Sequence, residues 1–195
     1  MDTAPARSRP TFRIERRDVD DPLARSLLAD YFAERAATRP ASAGAYATVF
    51  PDRALFVPPA GVFFVAFDSA RSPIACGGVR RVPVVSAPPA GAPPASAVAL
   101  PSGEARVALA DFGGTAWYEV KHLYTVPSAR GRGVGAELLR DLEAAASRLG
   151  ADRIVLDTHS SLEGAAKTYA RGGYSPVEPY NANGNADRWY GKRLS

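Results

Sequence analysis

WYEVKHLYTVPSARGRGVGAELLRDLEAAASRLGADRIVLDT, residues 117–158, changes its period twice, and that change decides the fold. The first ten residues alternate. Tyr118, Val120, His122, Tyr124 and Val126 share one face of an extended strand, and Trp117, Glu119, Lys121, Leu123 and Thr125 share the other. Pro127 ends the strand, and three glycines, two arginines and Val134 fill the six positions from Arg130 to Gly135. From Val134 onward, Leu138, Leu142, Ala145 and Leu149 recur every three or four residues, while Glu137, Arg140, Asp141 and Arg148 fall elsewhere. That spacing predicts an amphipathic helix. Gly150 supplies its C-terminal stop, and RIVLDT, residues 153–158, is a run expected of a strand covered on both faces. The whole stretch reads as one βαβ unit.

Outward from it, FRIERR (12–17) alternates as a short strand would, and DDPLARSLLADYFAERAA has helical spacing in Leu23, Leu27 and Tyr31 and in Leu28 and Phe32. Asp20 or Asp21 ahead of Pro22 marks its start. GVFFVAFD (61–68) and SPIACGGVRRV (72–82) flank the turn-like DSARS and predict an antiparallel hairpin. After RIVLDT, Ser160 with Glu163 forms a candidate capping box for a short helix that closes at Gly172–Gly173, and DRWYGKRL (187–194) predicts a last strand. The order strand, helix, hairpin, strand, helix, strand, helix, strand predicts α+β architecture with a mixed α/β sheet. Residues 82–103 carry no charge and six prolines, so 83–115 is expected to be a Pro/Ala-rich insertion between the third and fourth strands; residues 1–11 are expected to be a mobile tail of a single 195-residue domain.

Hydrophobic residues at 46% and charged residues at 23% are ordinary for a soluble globular chain, and no apolar run approaches the roughly 18 residues of a membrane span. MDTAPARSRP has no apolar stretch to serve as a leader, and the single Cys76 forms no internal disulfide; both favour a cytoplasmic setting. The net charge of +4 is concentrated: Arg7, Arg9, Arg13, Arg16 and Arg17 against Asp2 and Glu15 place most of it before residue 18. A nearly neutral body argues against nucleic acid as the partner. Two histidines without a cysteine cluster make no metal site.

The glycine stretch follows a strand and opens a helix, where unpaired backbone N–H groups and the helix dipole favour an anion. A triphosphate loop needs GxxxxGK[ST], which this chain lacks. A dinucleotide fingerprint finds Gly131, Gly133 and Ala136, but four residues, Pro127 to Arg130, stand where a tight turn is needed, and Asp157 comes too late. Arg130, Gly133 and Gly135 match [RQ]xxGx[GA], and LYTVPSARGRGVGAELL resembles the acetyl-CoA motif of the GNAT superfamily of CoA-dependent N-acetyltransferases. EVKHLYTVP and AAKTYARGGY are similar to that family's fourth strand and its downstream A..LY...G[FY] segment, and EPYNANGNADRWYGKRL is similar to the ending of a bacterial subgroup.

The resemblance implies the GNAT-type acyl-CoA N-acyltransferase fold, a mostly antiparallel mixed sheet flanked by helices. It implies acetyl-CoA as cosubstrate, with Arg130, Gly131, Arg132, Gly133, Val134 and Gly135 around the pyrophosphate and Leu123, Tyr124 and Thr125 along the pantetheine arm. Thr125 stands where Val is usual, and Leu162 replaces a common cofactor-contacting Asn, so Leu162 receives no role. An amine with a pKa near 10 must lose a proton before it attacks a thioester. Glu119, on the strand face shared with Leu123 and Thr125, is the expected base, and Tyr169 is the expected general acid for the thiolate. His122 and His159 are alternatives for proton transfer, with structural roles favoured. Tyr180, Asn181, Asp187 and Trp189 are candidates for the acceptor pocket. The expected activity is acetyl transfer from acetyl-CoA to a primary amine, small or peptidic, by direct attack in a ternary complex of a monomer or homodimer. A non-catalytic acyl-CoA-binding module and a nucleic-acid-binding protein stand as rivals.

Overall fold

The computed structural model describes residues 12–41, 44–93 and 105–195. The expected tail, 1–11, and the middle of the expected insertion, 94–104, lie outside the described residues. In chain order the elements are β1 (Phe12–Arg17), α1 (Pro22–Thr38), β2 (Gly61–Asp68), β3 (Pro73–Val82), α2 (Leu109–Phe112), β4 (Trp117–Thr125), α3 (Val134–Arg148), β5 (Arg153–Thr158), α4 (Glu163–Arg171), β6 (Ser175–Pro176) and β7 (Arg188–Arg193). One seven-stranded sheet takes the order β1-β2-β3-β4-β5-β7-β6. Its neighbours are antiparallel except β4 and β5, the two strands of the βαβ unit, which are parallel.

Local chemistry explains the helix ends. The Asp21 carboxylate accepts from the Leu23 N–H at 2.8 Å, and Pro22 at the first helical position has no N–H to satisfy. Gly150, at φ 89°, follows the last turn of α3. The expected capping box at Ser160 does not form. α4 starts after Leu162 without a side-chain cap, because the Ser160 hydroxyl and N–H both go to the Asp187 carboxylate, at 2.6 and 2.7 Å.

Two cores sandwich the middle of the sheet. On one face α3 lays Val134, Leu138, Leu142 and Ala145 against Val79, Tyr118, Val120, Ile154 and Leu156. On the other, Leu27, Leu28 and Phe32 of α1 cover Phe63, Val65 and Cys76. Val155 points the opposite way from its neighbours into a third cluster with Trp117, Val177 and Trp189. β5 is thus apolar on both faces, each fully buried aliphatic contributing about 1.5–3 kcal/mol. Part of the segment expected to be insertion belongs to this third cluster. Val107 bridges to Val177, and Leu109 and Phe112 are buried against Trp117 and Val155. Its apolar residues are too few and too close together for a periodic signal.

Candidate active site

The ladder between β4 and β5 stops at Val120 and Leu156. Beyond that pair β4 continues along β3 to Thr125, while β5 continues along β7 to Thr158, so the two strands part. A cavity of about 540 Å³ occupies the parting, walled by α1 on one side and by Ala165 and Tyr169 of α4 on the other.

Within β4 the alternation breaks at this place. Cys76 pairs with Tyr124 and Gly78 with Lys121, leaving His122 and Leu123 opposite Gly77 alone. His122 takes up the extra residue at φ 56°, a β-bulge. Its ring therefore lies with Tyr31, Phe32 and Phe56 on the α1 side, not with Tyr118 and Val120 as simple alternation predicts. The following residues are inverted too: Tyr124 joins the α1 core and Leu123 the α3 core, so Leu123 and Thr125 do not share a face with Glu119. Gly78 permits the arrangement, since a Cβ there falls 2.5 Å from the Phe56 ring.

A four-charge network underlies the cavity. Glu119, only 1% exposed, receives Arg80 at 2.8 and 2.9 Å, the Tyr180 hydroxyl at 2.9 Å and Asn181 at 3.1 Å, with Lys121 at 3.3 Å. Lys121 also donates to both oxygens of Asp157, at 2.9 and 3.0 Å, next to the last ladder pair. Asn181 and Asn183 complete Asp157, at 2.7 and 3.1 Å. Burial pushes the Asp157 carboxyl up, but Lys121 and the two amides outweigh it and hold the pKa below the usual carboxylate range. Burial lowers Lys121, and Asp157 and Glu119 more than restore it, so the ammonium persists. His122 is driven down to about 3 by burial, then by Lys121 and Arg80, and stays neutral.

Tyr169 lines the cavity with its ring against Tyr174 and Tyr190. Burial first, and Asp157 second, raise its phenol above the ordinary value of 10, so it keeps its proton. Beyond the end of β4, the backbone turns through Gly131 at φ 74° and Gly133 at φ 82° into α3, whose first turn has no side-chain cap among the described residues. A Cβ on either glycine meets nothing within 4 Å, so it is the left-handed backbone, not crowding, that demands glycine there. At Gly135 a Cβ lies 3.3 Å from the Thr125 hydroxyl, which keeps the start of α3 close to β4. The Arg130 guanidinium does not face this open ground. It donates to both oxygens of Glu34 on α1, at 2.6 and 2.7 Å, and to the Thr125 carbonyl at 2.9 Å.

A family model for the Acetyltransferase (GNAT) family matches residues 24–174. The chain belongs to the GNAT family. An uncharacterized N-acetyltransferase of Schizosaccharomyces pombe is 36% identical over 77 residues, 40% of this chain and 47% of the relative, so the match spans about half of that protein. Among solved structures, a GNAT-family acetyltransferase of Staphylococcus aureus has a TM-score of 0.62 at 13% identity, covering 94% of this chain and 99% of that one. A GNAT-superfamily phosphinothricin acetyltransferase of Sinorhizobium meliloti, solved with AcCoA, has a TM-score of 0.58 at 15% identity, covering 95% and 89%. At such identities the two structures speak for the fold.

In this GNAT-family chain the residues predicted from sequence do not all reach the cavity: Tyr124, Thr125 and the turn from Arg130 to Gly135 do not line it. Leu123, Tyr169 and Asn181 reach the one cavity, as do His122 and His159. Glu119, Tyr180 and Trp189 instead lie beneath its floor. Trp189 donates to the Asn181 carbonyl oxygen at 3.0 Å while packing in the third core, and Asp187 fastens Ser160. Sequence reasoning missed Arg35, Lys121 and Asn183. Only the regular spacing of Asn181, Asn183 and Asn185 signals any of them: each of the last two donates its N–H to the preceding amide oxygen, at 3.2 and 3.1 Å.

Proposed function

We propose that this GNAT enzyme moves an acetyl group from acetyl-CoA to a primary amine within a ternary complex. The observation that carries the reading is the parting of β4 and β5. It leaves Leu123, beyond the last ladder pair of β4, and Tyr169 on one cavity that α1 also walls. The glycine turn fits a diphosphate, because open space around Gly131 and Gly133 coincides with a helix N-terminus that has no side-chain cap among the described residues. Main-chain N–H groups from Gly131 to Gly135, with Arg132 beside them, hold it; Arg130 braces the turn against α1. Leu123, Tyr124 and Thr125 present their main chain to the arm. Acetyl-CoA, when bound, supplies the activated thioester.

As the C–N bond forms and the C–S bond breaks, Tyr169 donates its proton to the departing sulfur, and the proton that the nitrogen sheds on becoming an amide restores the phenol, directly or through water. Glu119 has no surface on the cavity, so we assign it a positioning role, aligning Arg80, Lys121 and Asn181. His122, Lys121 and Asp157 are each tuned away from neutrality, and none of the three takes up the amine's proton near pH 7. The reacting species is the free amine, favoured by the cations Lys121 and Arg35 on the wall, which disfavour an ammonium ion beside them.

Incubation with acetyl-CoA and a panel of primary amines, following free thiol and acetylated product by mass, tests the proposal. Thiol release coupled to product with at least one amine supports it. CoA binding with no release above background across the panel indicates a binding module and overturns it.

A further inference from the structure

Arg35 is a cation on the cavity wall whose nearest carboxylate is shared with another arginine. Its side chain is 10% exposed, yet its hydrogen bond to a described residue is a single one, from Nη2 to the Thr38 hydroxyl at 3.1 Å. The carboxylate nearest to it, Glu34 at 3.6 Å, is already held through both oxygens by Arg130. The other wall cations are committed elsewhere. Lys121 and Arg80 serve Asp157 and Glu119, and Arg39 donates to the carbonyls of Gly44 and Gly184. Arg35 lines the same cavity as Tyr31 and Tyr169. Withdrawing a guanidinium this far from water with only a shared carboxylate at 3.6 Å is costly, and a ligand that brings an anion of its own recovers the cost.

We propose that Arg35 receives a carboxylate on the acceptor, so that the substrates are primary amines carrying a carboxylate, as an amino acid does. Nη2 gives one N–H to Thr38 and has a second, which with the N–H of Nε or of Nη1 makes the planar fork that suits a carboxylate held by two parallel hydrogen bonds. The carboxylate then fixes one end of the acceptor near α1 and leaves its amine toward the gap where Tyr169 stands. The inference rests on the acetyl-transfer reading and adds the acceptor class to it.

The test compares α-amino acids with their carboxamides as acceptors in Arg35 and Arg35→Gln proteins, with Arg35→Lys as the charge-retaining control. Wild type should favour the carboxylate of each pair. Arg35→Gln should lower that selectivity ratio roughly 100-fold, the worth of a charge-assisted pair, with Arg35→Lys intermediate. KM for the acceptor should move more than KM for acetyl-CoA. Wild-type preference for the carboxamide, an unchanged ratio in Arg35→Gln, or a rise confined to the KM for acetyl-CoA overturns the proposal while acetyl transfer stands. Calorimetric titration of N-acetyl amino acids and their amides into the CoA-loaded protein separates the two readings. Arg35-dependent binding of the acid with no turnover of any amine upholds the carboxylate site and removes the acetyl-transfer reading.

Discussion

The glycine turn and the floor of the cavity are made of different material. The glycine turn before α3 offers main chain: two left-handed glycines, an uncapped first turn and open space around it. The floor near α1 is almost entirely side chain, four charges from β3, β4 and β5 locked together by amides from the loop before β7. A main-chain site depends on a few consecutive residues, and a phosphate-like ligand asks only for N–H groups. A side-chain site depends on tertiary assembly, and each of its charges is stable only while the others are present.

The largest effect should come from breaking the floor. Glu119→Leu leaves Lys121 and Arg80 short of a partner and should cost roughly 3 kcal/mol, the low end for a broken buried pair because Arg80 remains 31% exposed. Denaturant unfolding measures it. Full stability with lost turnover would instead make Glu119 a participant in the chemistry. Next, Tyr169→Phe should reduce kcat by about 100-fold and leave CoA affinity nearly constant; unchanged turnover removes Tyr169 from the mechanism.

Acid should then weaken the floor through His122. Its folded pKa of about 3 lies below the unfolded value of 6.5, so the unfolded chain binds the proton first. Stability should fall as the pH drops from about 6.5 toward 3, with a limiting slope of about 1.4 kcal/mol per pH unit. His122→Phe should flatten that slope in a pH series of melting curves. Asp157, also depressed, adds its own loss only below its unfolded value of 3.8. At the turn, Gly133→Ala forces a Cβ into φ 82° and should weaken acetyl-CoA binding by about 1–2 kcal/mol, read as a rise in its KM with the acceptor KM steady. The smallest effect separates a free-amine mechanism from an enzyme base: the rise of kcat/KM with pH should shift when an acceptor of different amine pKa is used. A midpoint that stays fixed across acceptors assigns the proton to a protein group.

The same contrast governs what could be read from the sequence. The βαβ unit, the hairpin and the Arg130–Gly135 turn are local, so period and glycine spacing revealed them, and β2 and β5 occupy their expected residues. Lys121 gave no signal beyond a charge next to Glu119, because its partner Asp157 lies 36 positions away. Arg35 looked like one of several helix arginines, since nothing in a helical pattern tells which cation will be left without an acceptor. The misassigned faces of β4 have a local cause without a local signature: His122 is not a glycine, yet it adopts the left-handed backbone, so the rule of twos gave no warning.

That bulge makes β4 two half-strands spliced with opposite parity. Before the splice the even-numbered Tyr118 and Val120 pack on the α3 side; after it the odd-numbered Leu123 does, and Tyr124 packs on the α1 side. Consecutive residues His122 and Leu123 thereby pack against different layers, an imidazole against α1 and an isobutyl group in the α3 core, although both reach the cavity. Substitutions at 123 and 125 should follow the packing tolerances of α3, and those at 122 and 124 the tolerances of α1. An engineer who counts by twos through this strand will redesign the wrong wall.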